Sequence, residues 1–128
     1  MTMTAWAHLP NAQHIDAVLA DVMARPEKWR SAWGAARDAA GDAAWAAAWD
    51  AARTAAWDAA RTAAWDAAWA AARGAAWGAI AALVTWDSSA DLLECTPDVL
   101  RTMIDLAEPP VCHQAALLLP SAIVRFGQ

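Results

Sequence analysis

Cysteine, basic residues and long apolar runs are all scarce in this chain, and each scarcity argues against a class of function. Only two cysteines occur in 128 residues, Cys95 and Cys112, with no paired spacing and no nearby cluster of histidines. That spacing suggests neither a disulfide framework nor a zinc site, so a reducing, cytoplasmic compartment is the expectation. The longest uncharged runs, Gly74 to Trp86 and Val111 to Val124, fall short of the roughly 20 apolar residues a membrane span needs. Both read as core, and no membrane association is expected. The first ten residues lack the basic stretch, apolar run and small-residue site of a secretory signal.

Reactive motifs are missing too. There is no Gly-rich phosphate loop, nucleophile elbow or zincin signature. Cys112 and His113 are sequence neighbours, and neighbours on a helix point about 100° apart, which is poor geometry for a nucleophile and its base. The expectation is therefore a protein that is not an enzyme, with no catalytic residue, no cofactor and no metal.

Positive charge is outnumbered, nine Lys and Arg against fourteen Asp and Glu. The imbalance falls in residues 83–128, where Asp87, Asp91, Glu94, Asp98, Asp105 and Glu108 face only Arg101 and Arg125. Nonspecific nucleic-acid binding rests on neutralising phosphates with Lys and Arg, so this balance argues against it. It leaves room for a basic partner, such as a host enzyme or toxin bound by an inhibitor or immunity-like protein.

What the chain has in abundance is alanine and tryptophan. A first amphipathic helix is expected over 11–25, with Asn11 as its cap and Ile15, Val18, Leu19 and Val22 on one face. Pro26 then suits the first turn of a second helix. From about Ser31 to Leu83 a four-residue unit recurs, with two positions almost always alanine and a third Trp or Arg. Its eight-residue form, Trp49-Asp50-Ala51-Ala52-Arg53-Thr54-Ala55-Ala56, is repeated without change from Trp57 to Ala64. Alanine is the strongest helix former, and nothing between Asp42 and Arg73 breaks a helix. One continuous helix is expected there, within a long Ala/Trp helix over 26–86 that Gly34, Gly41, Gly74 or Gly78 could kink.

A four-residue period advances about 40° per step around a helix. Trp45, Trp49, Arg53, Trp57, Arg61, Trp65, Trp69, Arg73 and Trp77 therefore trace a ridge that winds around a straight axis, and no single flat partner covers it. Either the protein's own segments wrap the helix, or two copies cross by fitting ridges into alanine-lined grooves. Trp and Arg are also the residues most enriched in interface hot spots, so these nine are the candidate interaction residues. Each guanidinium can stack on an indole four residues away, and Asp50 and Asp58 can pair with Arg53 and Arg61. An aromatic and basic ladder for single-stranded nucleic acid is the alternative, opposed by the interleaved acids.

Short helices are expected over 88–128. Thr96-Pro97-Asp98 supplies a cap, a first-turn proline and a first-turn acid, and Glu108-Pro109-Pro110 ends that helix. Pro120 starts or kinks a last segment. The whole reads as one all-α domain spanning 1–128, a long Ala/Trp-rich helix packed by an N-terminal amphipathic helix and several short C-terminal ones.

The run of Trp-Asp-Ala-Ala-Arg/Trp units over 49–69 is followed by Leu83-Val84-Thr85-Trp86-Asp87, Leu92-Leu93, Pro97-Asp98-Val99-Leu100-Arg101 and Ala116-Leu117-Leu118-Leu119-Pro120. Together these resemble uncharacterised Ala/Trp-rich helical proteins of actinobacteria and their phages. The resemblance implies a phage or prophage accessory setting and supplies no activity and no site residues. A similarity to the alanine- and arginine-rich repeats of bacterial toxin-immunity proteins covers the helix alone. The expected function is self-assembly or another protein–protein interaction, with a homo-oligomer as the first partner and a host protein as the second.

Overall fold

The computed structural model describes residues 4–72 and 74–127. They form seven α-helices: α1 (Ala12–Ala24), α2 (Pro26–Ala40), α3 (Asp42–Asp58), α4 (Thr62–Ala71), α5 (Trp77–Thr85), α6 (Pro97–Leu106) and α7 (Val111–Phe126). Two 3-10 segments, Gly74–Ala76 and Asp87–Leu92, join them, and no strand occurs among the described residues. The all-α class is as expected. No helix among these residues is long and apolar enough to cross a membrane.

The single long helix is not there. The stretch 26–86 is divided among α2, α3, α4 and α5, and the first division falls at Gly41, whose φ of 86° is readily adopted only by a residue without a Cβ. The second division comes where the sequence shows no breaker. Ala60 takes φ 58°, Arg61 N–H donates to the Ala56 carbonyl at 2.8 Å and Ala60 N–H to the Trp57 carbonyl at 3.0 Å. These are the two bonds of a Schellman ending, with alanine in the left-handed position that glycine usually fills.

Division solves the winding problem. Within α3 the ridge turns steadily outward, from buried Trp45 through half-buried Trp49 to exposed Arg53 and Trp57, as a drift of about 40° per four residues requires. The bend then resets the phase, so Arg61 and Trp65 on α4 face inward again. On the inner side lie Ala32 and Ala36 of α2, Ala48, Ala52 and Ala56 of α3, and Ala64 and Ala68 of α4, all buried. Small side chains at these positions let the helices approach their neighbours closely.

Those neighbours are α5 and α7, which form the centre. Every residue of α5 is buried, and so is α7 from Gln114 to Pro120. Both segments are the uncharged runs that read as core, but their rank is reversed: the Ala/Trp helices wrap them. The reason is hydrophobic content, since full burial of a Leu, Ile or Val stabilises by about 1.5–3 kcal/mol and alanine offers far less area. The same burial carries α7 through Pro120, which lies inside the helix and does not start a new one. α6 follows its expected signals, with the Thr96 hydroxyl accepting from Val99 N–H at 3.4 Å.

Where α5 meets α7 the backbones nearly touch. A Cβ added at Gly78 would lie 3.1 Å from the Leu117 carbonyl oxygen. Gly78→Val is expected to destabilise by about 1–3 kcal/mol through overpacking, seen as a lower urea midpoint at unchanged slope. An unaltered midpoint would mean that α5 and α7 are further apart.

Candidate functional site: a tryptophan-lined cleft

The bend between α3 and α4 brings Trp49 and Trp65 together, with ring centroids 6.4 Å apart. On a straight helix they would stand about 24 Å apart along the axis. Trp77 is the hub of the cluster. It stacks on Trp49 at 5.9 Å and meets Trp65 and Trp69 edge-on at 4.9 and 4.5 Å. The chain of rings continues through Trp45, 6.3 Å from Trp49, to Trp33, 6.0 Å from Trp45. Edge-to-face pairs of this kind stabilise by about 0.5–1.5 kcal/mol beyond their burial.

On this packed floor lies an open cleft of about 410 Å3, lined by Trp49, Arg53, Trp65, Asp66, Trp69 and Trp77. A hollow of about 290 Å3 adjoins it, bordered by Arg53, Trp57, Thr62, Trp65 and Asp66. Two indoles stand out into solvent at its edges, Trp57 at 72% and Trp69 at 58% exposure. Arg53 and Asp66 are shared by both depressions, and neither has a hydrogen-bond or ion-pair partner among the described residues.

The described candidate residues thus separate into three groups. Trp49, Arg53, Trp57, Trp65 and Trp69 reach the cleft surface, whereas Trp45 and Trp77 are buried, Trp77 at only 3% exposure, and serve as its foundation. Arg73 lies outside the described residues. Arg61 belongs elsewhere: its Nη1 donates to the Val84 and Thr85 carbonyls at 2.9 and 3.2 Å and to Asp87 Oδ1 at 2.8 Å.

That contact explains the local bend. The last carbonyls of a helix have no partner within it and carry the negative end of its dipole, and the end of α5 is held inside the protein. Arg61 supplies donors and charge there, and Asn11 completes the set, its Nδ2 donating to the Leu83 and Trp86 carbonyls at 3.1 and 3.0 Å. Asn11 was expected to cap its own helix but makes no side-chain bond to it. The expected pairs of Asp50 with Arg53 and Asp58 with Arg61 are not formed among the described residues; Arg61 takes Asp87 instead of Asp58. Of the expected stacking between Arg and Trp four residues apart, one instance appears among the described residues, Arg37 over Trp33 at 5.6 Å. Among the described residues, a ladder of alternating Trp and Arg is not assembled on one face.

Asp66 is not marked out by the sequence from the other acids of the repeat. Only the bend places it across the cleft from Arg53. The acidic C-terminal third is also less one-sided than its composition: Asp87 pairs with Arg61, Glu94 with Arg125 and Asp98 with Arg101.

A second cleft, of about 370 Å3, opens between α1, α2 and α7, with His14, Asp21, Arg25, Trp29 and Arg125 in its wall. Its charges are already committed. Arg25 holds both oxygens of Asp21, Trp29 Nε1 donates to the same carboxylate at 2.7 Å, and Arg125 binds Glu94 at 3.0 Å. This is a structural knot at the α1–α2 corner. No group of three or more His, Cys, Asp or Glu side chains that could hold a metal ion occurs among the described residues. Comparison of the chain with family models, curated proteins and solved structures finds no match.

Proposed function

We propose that the protein is a non-enzymatic interaction protein that associates with a second copy of itself through the tryptophan-lined cleft. The observation that carries this reading is the coincidence, on one face, of two projecting indoles with the depressions beside them. Trp57 and Trp69 are exposed to water although Trp69 packs on buried Trp77 and Trp57 borders the hollow with Trp65, and large exposed apolar groups in a contiguous patch mark interaction surfaces.

The charges select the occupant. A two-fold interface places the same patch on both sides, so residue i of one copy meets residue j of the other and the reverse. An unpaired Arg53 and an unpaired Asp66 on this patch complement each other under that exchange, and the indole of one copy fills the hollow of the next. A partner with a single sign of charge would leave one of the two unpaired.

The test is a pair of substitutions away from the core. Trp57→Ala with Trp69→Ala is expected to lower folding stability by about 1–2 kcal/mol, mostly through the lost edge contact of Trp69 with Trp77, and to abolish association in light scattering across a concentration series. Arg53→Asp should weaken it, and Arg53→Asp with Asp66→Arg should restore it. A parent protein that stays monomeric at high concentration, with Trp57 and Trp69 open to quencher, would overturn the proposal.

A further inference from the structure

The octapeptide that is repeated without change has two structures in one molecule. In its first copy, Trp49 to Ala56, all eight residues lie inside α3. In its second, Trp57 to Ala64, the identical sequence ends one helix, turns at Ala59–Arg61 and starts another. Ala52 is helical and Ala60, at the same place in the repeat, has φ 58°. Local sequence therefore does not specify the turn. It favours its opposite, because alanine is the strongest helix former and the left-handed conformation costs an L-residue about 1–2 kcal/mol.

What holds the turn is tertiary. Arg61 reaches Val84, Thr85 and Asp87, while its counterpart Arg53 makes no such contact. If the turn straightens, α3 and α4 become one helix, and the segments on either side are drawn apart. Those segments need each other: α1 packs on α5, and α2 and α3 pack on α7. A second copy, straightened in the same way, restores every one of these contacts.

We infer that residues 59–61 are a hinge through which two copies exchange halves, α1–α3 of one packing on α4–α7 of the other, with the straight helix as the connector. Each cleft is then rebuilt from two chains, Trp49 from one and Trp65, Trp69 and Trp77 from the other. Exchange of identical elements keeps the native contacts and is a low-cost route to a dimer. This mode goes beyond the face-to-face association above and does not depend on Trp57 or Trp69.

The test turns on Ala60, whose side chain is exposed, so substitution there spares the core. Ala60→Gly eases the left-handed turn and penalises the straight helix, whereas Ala60→Val costs the helix a little and the left-handed turn far more. After unfolding and refolding over a wide concentration range, the two variants should differ in dimer-to-monomer ratio by at least about tenfold, Val above Gly. The measurement is made with Trp57→Ala and Trp69→Ala present, which removes the other mode. A chain carrying spin labels at Asp50→Cys and Asp66→Cys, with Cys95 and Cys112 replaced by alanine, is diluted into unlabelled chain. In the dimer fraction its intrachain distance should lengthen to about 24 Å along the helix axis, and in the monomer it should stay short. Equal dimer fractions in the Gly and Val variants, or a short intrachain distance in the dimer, would overturn the inference.

Discussion

Replacing Trp77 with alanine is expected to lower folding stability by about 3–5 kcal/mol and the Tm by about 10–20 °C. The indole is almost wholly buried, and it touches Trp49, Trp65 and Trp69, so its removal leaves a cavity beneath the cleft and strips three rings of their common partner. Thermal unfolding followed by near-ultraviolet circular dichroism checks both consequences, since the signal of the clustered indoles should fall in the folded baseline as well. Trp77→Phe should keep most of the stability. A loss of association with the Tm unchanged would instead place Trp77 at an association surface, as one of the candidate interaction residues.

Leu117→Ala carries the second large expectation, about 2–5 kcal/mol. Leu117 is fully buried on α7, the helix against which α2, α3, α5 and α6 all pack, and its backbone abuts Gly78. Helices held so closely have little room to collapse into the vacated volume, which puts the cost toward the upper part of that range. Leu106→Ala is the control: at 79% exposure it should change stability by no more than about 0.5 kcal/mol. Equal midpoints for the two in urea would deny α7 its central place.

These two residues show which parts of the fold could be read in advance. The uncharged runs around Ile80 and Leu117 were recognisable as core because charge is costly to bury. The start of α6 was recognisable because Thr96, Pro97 and Asp98 each favour a helix N-terminus for a separate local reason. The division at Gly41 was one of four that glycine allowed. The turn at Ala60 was not legible at all, since its octapeptide is helical eight residues earlier, and the decision rests with Arg61 and the distant carbonyls of Val84 and Thr85. The cleft inherits that limit. Its indoles were identifiable as candidates from their spacing, but the meeting of Trp49 with Trp65, the placing of Arg53 and Asp66 on one cleft, and the withdrawal of Arg61 from it all follow from the turn.

The contiguous rings also determine how the protein handles light. Trp33, Trp45, Trp49, Trp77 and Trp69 are linked by four successive ring contacts, none longer than 6.3 Å, distances at which identical chromophores pass excitation among themselves before they emit. Energy absorbed at Trp33, half-buried at the far end of the chain of rings, is shared with Trp69 at the solvent edge. The intrinsic fluorescence is then the property of a network that Trp65 joins through Trp49 and Trp77, and whatever covers or quenches exposed Trp69 is felt by the emission of all six.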